Sequence, residues 1–151
     1  DQLQATVGIR GTWITSGYNN VYWSTALDAA RFGLLILNKG DWAGQTIMQD
    51  KDYFEDMVTT SQSLNPAYGY LWWLNGKSSV IYPGLPNSFP GSLAPNAPAD
   101  LFAAIGKNGQ FIGVVPSQNL VVIRMGESPD DALVSVTFHD EMWEKLMLVM
   151  N

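Results

Sequence analysis

Three short apolar segments, residues 101–105, 111–115 and 120–125, follow one another with only brief turns between them. Lys107-Asn108-Gly109 lies in the first turn and Pro116-Ser117-Gln118-Asn119 forms the second. Connections this short cannot hold the crossover that parallel strands require, so the three segments form an antiparallel meander. A sheet of such strands needs a cover. The final segment, residues 137–150, spaces Phe138, Met142, Leu146 and Val149 as one helical stripe that can lie on it.

The earlier part of the chain reads as helices ahead of the sheet. Residues 1–20 are rich in Gly, Thr and Asn and read as irregular, with a short strand near 5–9. A helix starts after Ser24, where Thr25 and Asp28 stand three apart as in a capping box, with Asp in the usual place of Glu or Gln. Leu27, Ala30, Leu34 and Leu37 recur at helical spacing, Phe32, Leu35 and Ile36 widen the apolar face, and Gly40 stops the helix. A turn region over 41–46 leads to a second helix over 51–58. Residues 68–74 and 79–82 then flank Asn75-Gly76, a strong hairpin signal. Prolines at 83, 86, 90, 95 and 98 make 83–98 a loop, because neither a helix nor a central strand tolerates that density. The whole reads as a single α+β domain with an antiparallel sheet packed by a C-terminal helix.

Composition narrows the function. An apolar content of 46% fits a folded domain. The net charge of −6, with only eight Lys and Arg, repels phosphate backbones and excludes nucleic-acid binding. No apolar run approaches the roughly 20 residues a membrane helix needs, so no membrane is expected as partner. Cysteine is absent and His139 is the single histidine, which leaves no thiolate chemistry and no multi-histidine metal site. Neither metal nor cofactor is expected, and the compartment stays open.

Few side chains remain that could do chemistry. Lys107 follows an apolar strand, and with Asn108 and Gly109 it suits a carboxylate or a developing oxyanion at the sheet edge. A solvated turn with an ordinary surface lysine is the competing reading. Tyr18, in Tyr18-Asn19-Asn20, is either a cleft-lining tyrosine or a coincidence. Ser92 sits in the proline-rich loop and, without a base beside it, is at most a contact residue. Trp72 and Trp73 are strand neighbours and therefore face opposite sides, so at least one is core. Trp42 and Tyr82 could stack on sugars, or simply pack. His139, beside Asp140 and Glu141, reads as a surface or helix-packing residue on the polar flank. Asp41, Asp50, Asp52, Glu55 and Asp56 lack the order of a calcium loop and read as a solvated face.

Three stretches carry a resemblance. They are Gly106-Lys107-Asn108-Gly109-Gln110 with the following Val114-Val115-Pro116-Ser117-Gln118-Asn119-Leu120, the run from Trp23 to Gly33, and Tyr68-Gly69-Tyr70-Leu71-Trp72-Trp73. In that combination the chain resembles the C-terminal part of the β-lactamase-related serine hydrolases, a group that includes class C β-lactamases, DD-peptidases and family VIII carboxylesterases. The resemblance implies hydrolysis of a small carboxylic ester or amide, with Lys107 catalytic and Asn108 and Gly109 binding substrate in the position of the family's third motif. It also implies that Tyr18, Tyr70, Trp72 and Ser92 line the substrate site. The family's nucleophile, a Ser three residues before a Lys, is missing: the residues three before lysines 39, 51, 77, 107 and 145 are Ile36, Met48, Leu74, Ala104 and Met142.

The expectation is therefore the C-terminal half of a larger domain. It should associate with an upstream fragment or with another copy through the open strand edge at 120–125. A non-catalytic aromatic module, for example for glycans, and a small autonomous esterase are the rivals.

Overall fold

The computed structural model describes residues 3–16, 19–129, 131–132 and 134–150. A π-helical turn, Leu3–Val7, stands where a short strand was expected. A hairpin follows, β1 (Gly11–Ser16) with β2 (Asn19–Ser24), in a region that reads as irregular from its Gly, Thr and Asn content. Trp13, Ile14, Val21, Tyr22 and Trp23 supply the β-forming residues, and cross-strand pairing decides over the polar background.

Helix α1 (Ala26–Leu37) begins as its cap predicts, with the Thr25 hydroxyl accepting from the Asp28 N–H. It ends in a left-handed turn at Lys39 and Gly40, where the Gly40 N–H reaches the Leu35 carbonyl. The buried face of α1 runs through Ala29, Gly33 and Ile36, together with Leu35, while Leu27 and Leu34 remain exposed. That corrects the expected stripe. Gly33 explains the choice: a Cβ there would meet Val121 at 2.5 Å, so the glycine lets the helix lie directly on the sheet.

Next come a small hairpin of β3 (Asp41–Trp42) and β4 (Gln45–Thr46), α2 (Lys51–Met57), then β5 (Trp73–Leu74), β6 (Ser79–Val80) and β7 (Phe89–Pro90). The Asn75-Gly76 signal does not close a hairpin. β5 pairs with β8 (Phe102–Ile105), whereas β6 pairs with β7 inside the proline-rich loop. Residues 68–73 likewise fold back on themselves through the Tyr68–Trp73 bridge, with Leu71 at φ 64°.

The meander is as expected. β8, β9 (Phe111–Val115) and β10 (Leu120–Arg124) are antiparallel, in the sheet order β10-β9-β8-β5. Alternation along these strands feeds two cores. Leu101, Ala103, Ile105, Phe111 and Val115 face α3 (Val136–Met150) and its Trp143. Phe102, Val114 and Trp72 face Ile36 of α1 and Phe54 of α2. Helices thus cover both faces of the sheet. In α3 the fully buried residues are His139 and Trp143, while Val149 is exposed, so the helix is rotated from the expected stripe. Gly113 permits this rotation, since a Cβ there would stand 3.1 Å from the Trp143 indole.

Candidate functional site

The turn between β8 and β9 is built from left-handed backbone. Asn108 has φ 59° and Gly109 φ 75°, conformations that Asn and Gly adopt with least strain. Two side chains hold it. Gln110 donates to the carbonyls of Asn108 (3.1 Å) and Gly126 (2.6 Å), and its Oε1 accepts from the Gly126 N–H (3.1 Å). Arg124 donates to the carbonyls of Gly109 (3.0 Å), Gly126 (2.6 Å) and Glu127, and its guanidinium lies 5.0 Å above the Phe138 ring. The turn is therefore laced to the end of β10 and the segment beyond it.

Lys107 stands at this rim, exposed, two residues past the end of β8. It takes part in none of the ion pairs of the described residues, which join Arg31 to Asp28, Lys39 to Glu55, Lys51 to Asp41 and Lys145 to Glu144. Asn108 is exposed beside it. Gly109 is buried beneath Arg124 with its carbonyl already bonded, so Lys107 and Asn108 are the two members of the triplet that reach solvent.

Tyr18 lies outside the described residues. Tyr70 is exposed and stacks on Tyr53 of α2 at 5.9 Å. Trp72 is only 4% exposed, stacked on Phe32 and edge-on to Phe102. It is core and offers a substrate no surface. Ser92 is half-buried, two residues before Ala94, whose backbone bonds to the Asn75 side chain; the Asn75 N–H in turn bonds to the Leu101 carbonyl. That attaches Ser92 to the start of β8, the opposite end of the strand from Lys107. Among the described residues, Trp72 and Ser92 thus do not join Lys107 at its rim.

His139 departs from the polar flank where its acidic neighbours put it. It is 1% exposed, edge-on to Phe111 at 4.9 Å, and its Nε2 accepts from Trp143 Nε1 at 3.2 Å. Its Nδ1 has no hydrogen-bond partner among the described residues. Burial pushes its pKa down to about 4, against a weaker upward pull from Asp140. The Asp140 carboxylate itself binds the Asn96 N–H and side-chain amide at 2.9 and 2.8 Å. A Ser-His-Asp relay does not form here.

Among the described residues two open depressions stand out, and Lys107 lines neither of them. One is lined by Arg10, Gly11, Trp23, Ser24, Thr25 and Asp28, the other by Asn38, Asp41, Trp42, Ala43 and Gly44. Asp28 in the first is already engaged: the Thr25 hydroxyl (2.6 Å), the Arg10 N–H (3.1 Å) and Arg31 (3.2 Å) all donate to it. These contacts, the Thr25 hydroxyl foremost, hold its carboxyl below the ordinary range. Three of the five residues of the acidic cluster are engaged: Asp50 caps α2, while Asp41 and Glu55 pair with lysines. Among the described residues no three His, Cys, Asp or Glu converge as metal ligands, and no described helix is long and apolar enough to cross a membrane.

Arg124 and Gln110 are the residues that sequence reasoning missed. The available signal was an arginine closing an otherwise apolar strand.

No family model matches the chain, and no curated protein matches it in sequence. Among solved structures it is similar to a protein assigned as a 6-aminohexanoate-dimer hydrolase from Bacillus anthracis, with a TM-score of 0.64 and 18% identity. The match covers 97% of this chain and 36% of that one, so the chain spans about a third of that protein's length. The 151 residues thus share the fold of about a third of that protein, an α+β unit with an antiparallel sheet and a C-terminal helix.

Proposed function

We propose that the chain supplies the sheet wall of a β-lactamase-like serine hydrolase site acting on a carboxylic ester or amide. The observation that carries this reading is the fold likeness to a hydrolase over nearly the whole chain, with the β8-turn-β9 unit intact. In this reading Lys107, an exposed cation at the rim that pairs with no described residue, attracts a substrate carboxylate and assists proton transfer, with Asn108 beside it as a polar contact. Gly109 permits the turn, and Arg124 with Gln110 holds it rigid, so that Lys107 is presented at a fixed position. The serine nucleophile and its base come from polypeptide outside these 151 residues. The substrates to test are small esters and amides, the linear dimer of 6-aminohexanoate among them.

Fluorophosphonate labelling with mass mapping tests the proposal. The 151-residue chain alone should take no label. A longer product of the same gene should be labelled at a serine outside residues 1–151, and Lys107→Ala in that product should lower p-nitrophenyl ester hydrolysis at least tenfold, the scale of a proton-transfer or charge-binding contribution. Labelling within residues 1–151 would make the chain a small autonomous esterase instead. Absence of label and of hydrolysis in the longer product would remove the hydrolase reading.

A further inference from the structure

We propose that Asn108, beside Lys107, is a self-modification site, where the side-chain amide cyclises onto the Gly109 nitrogen and ends as a carboxylate. Asparagine is among the thermolabile residues. A following glycine helps, because without a Cβ its nitrogen swings most freely towards the amide carbon. The Gly109 nitrogen bonds to Cγ of Asn108 as the Cγ–Nδ2 bond breaks, and the Gly109 amide proton leaves with Nδ2 as ammonia. Water then opens the cyclic imide at either carbonyl. One opening gives Asp; the other gives isoaspartate, in which the backbone runs through the side chain. Nothing is oxidised or reduced, and water is the only co-reactant.

The chain carries this dipeptide twice, at Asn75-Gly76 and Asn108-Gly109, and the fold opens only the second. Asn75 is 5% exposed and its amide is fully engaged. Its Oδ1 accepts from the Ala94 N–H, and its Nδ2 donates to the carbonyls of Ala94, Ala97 and Pro98. Gly76 is walled in as well, since a Cβ there would stand 2.4 Å from the Ala99 carbonyl oxygen. Ring closure at 75 therefore waits for local unfolding. Asn108 is exposed, and its side chain has no hydrogen-bond partner among the described residues. Lys107 next to it, in none of the described ion pairs, favours loss of the Gly109 amide proton. The turn can accept the Asp product, because Asp tolerates the left-handed backbone that Asn108 adopts at φ 59°. Conversion takes the net charge one unit beyond −6 and sets a carboxylate beside Lys107.

Incubating the folded 151-residue chain at mildly alkaline pH, with peptide mass mapping and an isoaspartyl methyltransferase assay, tests this. The peptide containing Asn108 should gain the mass of an amide-to-acid exchange at least about tenfold faster than the one containing Asn75, whose conversion needs local opening. It should also outpace the peptide containing Asn87, which is exposed but followed by Ser88. In urea the Asn75 site should catch up with the Asn108 site, and Asn108→Gln should remove the signal at 108 in either condition. Equal rates at 75 and 108 in the folded chain overturn the proposal. So does an Asn108 that stays intact in the folded chain while the unfolded chain converts there.

Discussion

The side-chain amide of Asn75 and the backbone of Ala94 exchange two hydrogen bonds, Ala94 N–H to Oδ1 at 3.0 Å and Nδ2 to the Ala94 carbonyl at 2.9 Å. Asn75 thereby behaves as an additional strand residue. Its Nδ2 also donates to the carbonyls of Ala97 and Pro98, and its N–H bonds to the Leu101 carbonyl, so one buried residue joins the proline-rich loop to the sheet.

Removing that amide orphans a buried N–H and several carbonyls. Asn75→Ala should cost about 2–4 kcal/mol, and Asn75→Asp more, because a carboxylate would face carbonyl oxygens. Urea unfolding checks this. A cost below about half a kcal/mol for Asn75→Ala would show that the loop is held by other contacts.

His139 makes stability depend on pH. Its folded-state pKa of about 4 lies below its ordinary 6.5, so between these values the unfolded chain binds a proton that the folded one does not. The stability its neutral form contributes is present in full above about pH 6.5 and declines as pH falls towards 4. The loss should reach about 2 kcal/mol by pH 5. Geometry gives the same direction, because an imidazolium would turn Nε2 into a second donor facing the Trp143 N–H. Urea midpoints at pH 7 and pH 5, for wild type and His139→Phe, measure it. Equal pH sensitivity in both would assign the effect to other groups.

Gly109 and Arg124 form the lock of the turn. A Cβ at position 109 would stand 2.6 Å from Arg124 Nη1, at a φ of 75°. Gly109→Ala should therefore cost about 1–3 kcal/mol. Arg124→Met, which removes the donors and the guanidinium above Phe138, should cost about 1–2 kcal/mol. Amide exchange at residues 106–110 should speed up in both variants; unchanged exchange would mean that Arg124 is not what holds the turn.

Lys107→Ala should leave stability within about half a kcal/mol of wild type, because the side chain is exposed and pairs with no described acid. Thermal unfolding checks it. A larger loss would reveal a structural contact and weaken the assignment of Lys107 to substrate.

Trp72→Ala should be the most damaging of these changes, at about 3–5 kcal/mol, since it empties the space between Phe32 and Phe102. Near-UV circular dichroism together with urea titration reads the loss of packing. A cost near zero would contradict its place in the core.

The meander, the Thr25 cap and the extent of the three main helices were legible because each depends on residues close in the chain: apolar alternation, a hydroxyl three residues before an acid, a 3.6-residue period. Asn75-Gly76 misled for the opposite reason. The dipeptide favours a hairpin locally, but the partner that Leu74 finds is Phe102, and the Asn75 amide is better satisfied by the loop at Ala94. The hairpin at 11–24 escaped notice because its polar residues conceal a ribbon that only cross-strand pairing reveals.

The linear order of residues determined the three strands of the meander and the three main helices, and that Lys107 would stand at a turn beyond an apolar strand. Tertiary structure alone decided that Trp72 and His139 are interior, that Ser92 joins the far end of β8, and that Arg124 secures Lys107's turn. The physical reason is that burial depends on which face of an element meets another. Gly33 and Gly113 set those faces by allowing helix and indole to approach the sheet, and their partners lie tens of residues away.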